Sequence, residues 1–538
     1  MNPSSVAGNK PLGSAKISPK GRVQLGRRLL LEEKGTTNAP SQLMFSVGLP
    51  EDGRIPVFEN AMPFASAGEL PRQELKYSLR ETQTDLYIED NGLTASYGIF
   101  GAPGSGKTYL MLNLVRQLLG LETTNNARRF GALILDPKAA LIEDMRQIAA
   151  ETGRSDDLIV LNAGELKANN ESTNVMDVDL DASELSRALV LAAQSSGVGA
   201  SEPYWFGAWQ NLFSSAIYLL QWRSANVLTL RELIDAVLTV EQPDPLLSSE
   251  PAKRRIETLA AEARSALGEL PEEQRSEARA AINQIGVFYS QKSDNVATVE
   301  NLITQAYGEF LRSRTSCYSQ SRLKTSNRKP FYDEIIDDGK LVLVSVSPSE
   351  PGLAKVLCTL VKNLFMQSMR SRLDRVRAGR LQNFERPVLL ACDEYSQVAS
   401  EIPGQIGDGD FFSIARQQGC MGILATQSVN VLQASALKEN WKSIFSNFSA
   451  KIFMRAVDNE TVEEATKLVG ETDWYTSSLG TSSGGQGLSS SSQKDLKERK
   501  GLPGHVLTQL IETGQAVVIG SLDGRKAPAA TFFKVLPR

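Results

Sequence analysis

An α/β fold with a buried, largely parallel sheet is predicted for this chain by three observations. A short apolar run, Tyr97–Phe100, leads through a glycine-rich turn at 101–106 into a helical stretch ending near Leu119. Continuous apolar runs recur at 130–135, 341–346, 387–392 and 421–425, each short, bounded by turn residues or acids, and suited to a strand buried on both faces. Between the early and late runs, 180–325 changes to helical spacing with charged outer faces, which reads as an insertion into the sheet-forming sequence.

The turn itself is Gly101-Ala102-Pro103-Gly104-Ser105-Gly106-Lys107-Thr108, a complete G-x-x-x-x-G-K-T. Gly101, Gly104 and Gly106 let the backbone turn tightly, so that successive N–H groups face a phosphate chain. Lys107 brings a point charge to the outer phosphates and the Thr108 hydroxyl can ligate Mg²⁺. The helix start adds its positive end. With Pro103 and Ser105, these residues are assigned to a nucleoside triphosphate. Asp136 and Lys138 follow the next apolar run, at the strand edge where α/β sheets bind ligands, and Asp136 is added to the nucleotide site.

The run at 387–392 ends in two acids. Downstream of a phosphate loop, Asp393 is assigned to Mg²⁺ and Glu394 to polarising the attacking water, which together imply hydrolysis. Gln427, at the end of the 421–425 run, suits a sensor of the γ-phosphate. Arg416 either caps its helix or stabilises transition-state charge, reaching to a neighbouring subunit. Lys107, Glu394, Arg416 and Gln427 form the catalytic set, and Thr108 with Asp393 the metal set.

Composition bounds the alternatives. The formal charge of −4 over 538 residues means that a nucleic acid would meet a local basic surface, not a basic body. Four cysteines without C-x-x-C spacing argue against zinc or a disulfide framework, and the single histidine, His505, excludes sites built from two. A reducing, cytoplasmic setting fits. No apolar run approaches the ~20 residues that span a bilayer, and no secretory signal opens the chain.

In order, 1–40 reads as a disordered basic tail, solvated or contacting a partner. Residues 41–179 hold an N-terminal β segment, with strands at 43–47, 55–58 and 85–88, and the first part of the nucleotide domain; 180–328 is an all-α insertion; 329–538 is the second part, with a mobile Ser/Gly loop over 476–494. The aromatics Tyr204, Trp205, Phe206, Trp209 and Trp222 either stack on bases or pack between helices. The basic helix end with Arg370, Arg372, Arg375, Arg377 and Arg380 is either solvated or tracks a phosphate backbone.

The ordered set GAPGSGKT, LILDPKAAL, GKLVLVSV, PVLLACDEY, FFSIARQQG, ILATQS and GQAVVIG resembles the type IV coupling proteins of conjugation, TraG/TraD-like members of the FtsK-like P-loop motor superfamily. The resemblance runs from about residue 90 to the C-terminus. It implies a RecA-like sheet and a homo-hexameric, DNA-dependent ATPase using ATP and Mg²⁺. Such a motor escorts a relaxase-bound single strand to a type IV secretion channel. It also implies Arg416 as the trans-acting arginine and Gln427 as the nucleotide sensor. LILDPKAAL departs from the usual D-P-K-G-E ending. No transmembrane helices precede the loop, as they do in coupling proteins, so the chain is expected either to dock on an anchoring partner at the inner face of the cell membrane or to be a stretch that has lost its anchor. A motor for secreted protein substrates, or a non-enzymatic nucleotide switch, are the competing readings.

Overall fold

The computed structural model describes residues 22–34, 76–121, 128–199, 202–241, 253–324, 328–347, 349–401, 407–484, 487–522 and 530–535. The first strands are β1 (Arg22–Lys34), β2 (Lys76–Glu89) and β3 (Tyr97–Phe100), followed by α1 (Lys107–Leu119), β4 (Gly131–Asp136), α2 (Ile142–Glu151), β5 (Leu158–Leu161) and α3 (Ala163–Ala168). A helical region follows: α4 (Ala182–Ser195), α5 (Pro203–Arg223), α6 (Leu230–Leu238), the two-residue strands β6 (Val240–Glu241) and β7 (Lys253–Arg254), α7 (Arg255–Ala266), α8 (Glu272–Tyr289) and α9 (Ser293–Tyr307). Capping boxes start two of these helices, Asp181 with Glu184 and Thr229 with Glu232.

After the short α10 (Phe331–Asp333), the α/β pattern resumes with β8 (Leu341–Ser345), α11 (Pro351–Arg370), α12 (Arg372–Arg377), β9 (Val388–Cys392), α13 (Asp408–Ile414) and β10 (Cys420–Thr426). The last elements are α14 (Val429–Gln433), α15 (Trp441–Asn447), β11 (Ala450–Phe453), α16 (Asn459–Val469), β12 (Glu471–Gly484), β13 (Gly487–Lys500), β14 (Gln515–Gly520) and β15 (Thr531–Lys534).

Eleven strands form one sheet in the order β2-β1-β15-β14-β11-β3-β10-β9-β4-β8-β5. From β11 to β5 every pairing is parallel. β14, β15, β1 and β2 extend it antiparallel. The strands predicted from continuous apolar runs, β3, β4, β8, β9 and β10, are buried along their whole lengths. One face is covered by α1 and α2, through Leu110, Leu114, Met145 and Ile148. The other carries the helical region and α11, through Trp209, Phe213, Leu364 and Phe365. The fold class is the expected one: a RecA-like P-loop sheet with helices on both faces.

Four expectations need correction or division. The basic tail gives way over 22–34 to β1, which pairs with β2 and β15 and buries Val23, Leu25, Leu29 and Leu31. Val23 with Leu25, and Leu29 with Leu31, stand two residues apart, so each pair shares a face of the strand, with Gln24 and Leu30 between them, despite the arginines at 22, 27 and 28. Within the segment expected to be a mobile loop, the backbone of β12 and β13 forms an antiparallel hairpin from Glu471↔Lys500 to Gly484↔Gly487. The expected strands at 43–47 and 55–58 lie outside the described residues.

Nor is the basic end of α11 and α12 uniformly solvated or open to a phosphate backbone. Arg375 is buried against Asp333 and Asp179, and Arg372 is buried with its guanidinium donating to the carbonyls of Gln418, Asn383 and Arg386. Arg386 donates to the carbonyls of Arg129 and Asp337, and Arg154 to those of Phe130 and Gly339. Three guanidinium groups thus staple the amino ends of β8, β4, β9 and β10 together. Of the aromatics, Trp209 is fully buried, stacked on Phe206 and edge-on to Phe213, whereas Tyr204 is exposed.

Candidate active site

Parallel strands deliver their carboxyl ends to one edge, and four of them meet there: β3 followed by the glycine-rich turn, β9 by Asp393 and Glu394, β4 by Asp136 and Lys138, and β10 by Gln427. β10 lies between β3 and β9, so the loop and the two acids stand one strand apart. Gly104 (φ +74°) and Gly106 (φ +102°) occupy the left-handed region that a side chain disfavours, and α1 starts at the next residue. The turn is tied down by its neighbours: the Gly101 N–H donates to the Thr426 carbonyl and the Ala102 N–H to that of Arg455.

Lys107 is buried, its ammonium donating to the carbonyls of Gly101 at 2.6 Å and Ala102 at 3.2 Å. Burial pulls its pKa down, opposed by the charges of Glu394 and Asp393. Thr108 Oγ1 donates to Asp393 Oδ2 at 2.9 Å, while Asp393 Oδ1 is buried with no hydrogen-bond partner. Burial pushes the Asp393 carboxyl up, opposed chiefly by the Thr108 hydrogen bond. A hydroxyl and a carboxylate side by side, with one carboxylate oxygen left over, fit a hard divalent cation such as Mg²⁺, which takes much of its shell from phosphates and water. Among the described residues no group of three or more His, Cys, Asp or Glu is arranged to hold a metal.

Glu394 follows with φ +60°, a left-handed conformation costly for a non-glycine residue. Its carboxylate is buried, accepts from Lys138 Nζ at 2.6 Å, and receives Gln427 Nε2 at 3.2 and 3.3 Å. The structure therefore brings together Lys107, Thr108, Asp393, Glu394 and Gln427, all named from the sequence.

Three assigned residues fall elsewhere. The Ser105 side chain is buried, 3.9 Å from Met454 Sδ, so this residue can serve a phosphate only through backbone. Asp136 is also buried, and its carboxylate is committed to its own turn, accepting from the N–H groups of Lys138 and Leu141 and from Ser345 Oγ. That corrects its assignment to the nucleotide: Asp136 shapes the turn that aims Lys138 at Glu394. Lys138, which the sequence placed at the strand end without a role, is the residue in contact. Arg416 lies exposed in the turn after α13, and the Val388 N–H to Gly419 carbonyl bond fixes that turn at the opposite, amino edge. The length of β10 separates it from its own chain's site. A cleft of roughly 650 Å³ beside the edge strand β5, lined by Arg146, Glu165, Asn169 and Arg328 among others, is remote from this chemistry.

The sheet and the loop define a P-loop nucleotide-binding fold of RecA type. The family described as "TraM recognition site of TraD and TraG" matches residues 387–511. Among solved structures, an unbound form of the bacterial conjugative coupling protein TrwB superposes with a TM-score of 0.54 at 13% identity, over 84% of this chain and 87% of that one. TrwB in complex with ADP and Mg²⁺ gives 0.53 at 14% identity, covering 83% of this chain and 87% of that one. Its complex with the non-hydrolysable ATP analogue ADPNP gives 0.53 at 15% identity, with the same coverage of 83% and 87%. No curated protein sequence matches. The chain is thus similar to TraG/TraD-type coupling proteins, by sequence over 387–511 and by fold over most of its length. Among the described residues, no helix is long and apolar enough to cross a membrane.

Proposed function

We propose that this chain is an ATP-hydrolysing coupling motor of conjugation. It works as a homo-hexameric ring that takes up relaxase-bound single-stranded DNA and passes it to a type IV secretion channel. Its place is the inner face of the cell membrane, held there with an anchoring partner. The observation that carries hydrolysis is the 2.9 Å contact between Thr108 and Asp393, with Glu394 and Gln427 beside it. The likeness of 387–511 to a TraM recognition site supports a relaxosome as the source of the cargo.

Each side chain then has a task. Thr108 and Asp393 would hold Mg²⁺, whose charge offsets that of the phosphate oxygens. The loop amides and Lys107 bind the phosphate chain; Lys107 turns from the loop carbonyls to the outer phosphates. Glu394 accepts the proton of the attacking water, and Gln427, already on its carboxylate, orients that water or reports the γ-phosphate. Lys138 now occupies Glu394 Oε1 and frees that oxygen when it turns to the γ-phosphate. Arg416, barred by distance from its own site, serves the neighbouring subunit, so hydrolysis belongs to the interface.

Turnover per subunit is expected to rise with protein concentration and with single-stranded DNA. Glu394→Gln should lower it by about 10²–10⁴-fold with nucleotide binding retained. A rate flat with concentration and indifferent to DNA overturns the ring-motor reading; unchanged turnover in Glu394→Gln overturns the assigned base.

A further inference from the structure

A second cluster of buried charge begins one residue past Glu394. Lys362, on α11, and Asp408, the first residue of α13, are both wholly buried. Lys362 Nζ donates to Asp408 Oδ1 at 2.6 Å and to Ser400 Oγ at 2.9 Å. Tyr395 OH donates to Asp408 Oδ2 at 2.5 Å, and Ser400 contributes its N–H at 3.0 Å and its hydroxyl at 2.8 Å. The hydrogen bonds named here run within the cluster and not to Lys107, Thr108, Asp393 or Glu394. A buried ion pair is a costly way to fill a core, since apolar side chains of the same size often give equal or better stability.

What the cluster holds is more telling. Tyr395 is the residue after Glu394, whose left-handed backbone persists only if its surroundings over-determine it. Asp408 begins α13, and the turn at the other end of α13 carries Arg416 to the amino edge. One short helix therefore runs from Asp408, bonded to the residue after Glu394, to the turn that carries Arg416.

We infer that the Lys362–Asp408–Tyr395 cluster is a positioning device. It locks the Glu394 turn and α13 into one rigid unit, so that Glu394 and Arg416 move together. The second half of this inference rests on the ring reading above. The cluster touches no substrate and acts only through the two residues it holds.

The test uses the full chain with ATP and single-stranded DNA. Tyr395→Phe removes one hydroxyl and leaves Asp408 bonded to Lys362 and Ser400, so the fold is kept. It is expected to lower kcat by about 10- to 100-fold, the scale of a small misplacement of a catalytic group. KM for ATP and the thermal midpoint should stay near wild type, and the Hill coefficient for ATP should fall toward one. Lys362→Met alone should lose turnover, whereas Lys362→Met with Asp408→Asn, which removes both charges and keeps an acceptor for Tyr395, should recover much of it. Wild-type kcat and cooperativity in Tyr395→Phe overturn the inference, as does a kcat loss matched by a rise in KM or a fall in midpoint, or a double variant no better than the single. If the wild type hydrolyses ATP and Glu394→Gln does not, such a result falls on this inference alone; a wild type without turnover sinks both.

Discussion

Two knots of buried charge flank the peptide bond between Glu394 and Tyr395, and they follow opposite rules. Around Asp408, both oxygens are answered by Lys362, Tyr395 and Ser400. Around Asp393, one oxygen is buried without a partner, Lys107 is engaged only by carbonyls of its own loop, and Glu394 sits in a strained conformation. Both aspartates are nearly inaccessible to water, so burial does not separate them. Incomplete satisfaction does: one free oxygen suits Asp393 to the proposed metal site, whereas complete satisfaction suits Asp408 to the proposed positioning role.

The contrast breaks most visibly in stability. Asp408→Ala leaves the Lys362 ammonium in the core without its counter-charge, answered only by the Ser400 hydroxyl, and should cost about 3–5 kcal/mol in chemical denaturation; a loss under ~1 kcal/mol would put the two aspartates in the same class. Asp393→Asn should do the reverse. Turnover with Mg²⁺ falls by about 10²-fold or more, while the nucleotide-free protein gains ~1 kcal/mol by shedding an unsatisfied buried carboxylate. Because burial raises the folded pKa of Asp393 above its unfolded value, ionising it opposes folding at neutral pH. The gain should therefore appear in melts at pH 7, fade as pH falls through the raised folded-state pKa, and be gone below about 3.9, where the unfolded-state carboxyl also takes its proton. A destabilised Asp393→Asn at neutral pH would show that Asp393 is as structural as Asp408.

The smallest effect concerns the turn beneath Glu394. Ala139 holds φ +52° where the resembled family places glycine. Ala139→Gly should relieve left-handed strain and raise stability by up to ~1 kcal/mol, net of the entropy that glycine adds to the unfolded chain. A lower denaturation midpoint would mean that the strain is not stored there.

Much of the site is legible in the sequence because its chemistry is local. The glycine-rich turn, the Asp393-Glu394 pair and Gln427 each end an apolar strand, and parallel pairing carries strand ends to one edge. Lys138 and Asp136 are different. Both stand at the end of β4, and spacing cannot say which turns inward. Asp136 accepting from the Lys138 N–H, two residues on, is an Asx turn, a local signal that could have told them apart. β1 shows its alternation, but one partner strand, β15, lies some five hundred residues away in the chain. The arginines of α11 and α12 look like surface because composition does not record the carbonyls and carboxylates that fold back onto them. The hairpin of β12 and β13 hides in low-complexity sequence, since its cross-strand register is set by pairing and not by residue type.

The guanidinium staples of Arg154, Arg372 and Arg386 have a consequence for where the subunit yields. They close the carbonyls that enter four neighbouring strands, so slow amide exchange should concentrate along that margin, and opening should begin at the opposite margin, near the phosphates. A lysine in place of Arg372 could answer only as a point charge, without the planar fork that reaches three carbonyls at once. The sheet is thus clamped along one hem and free to flex along the other.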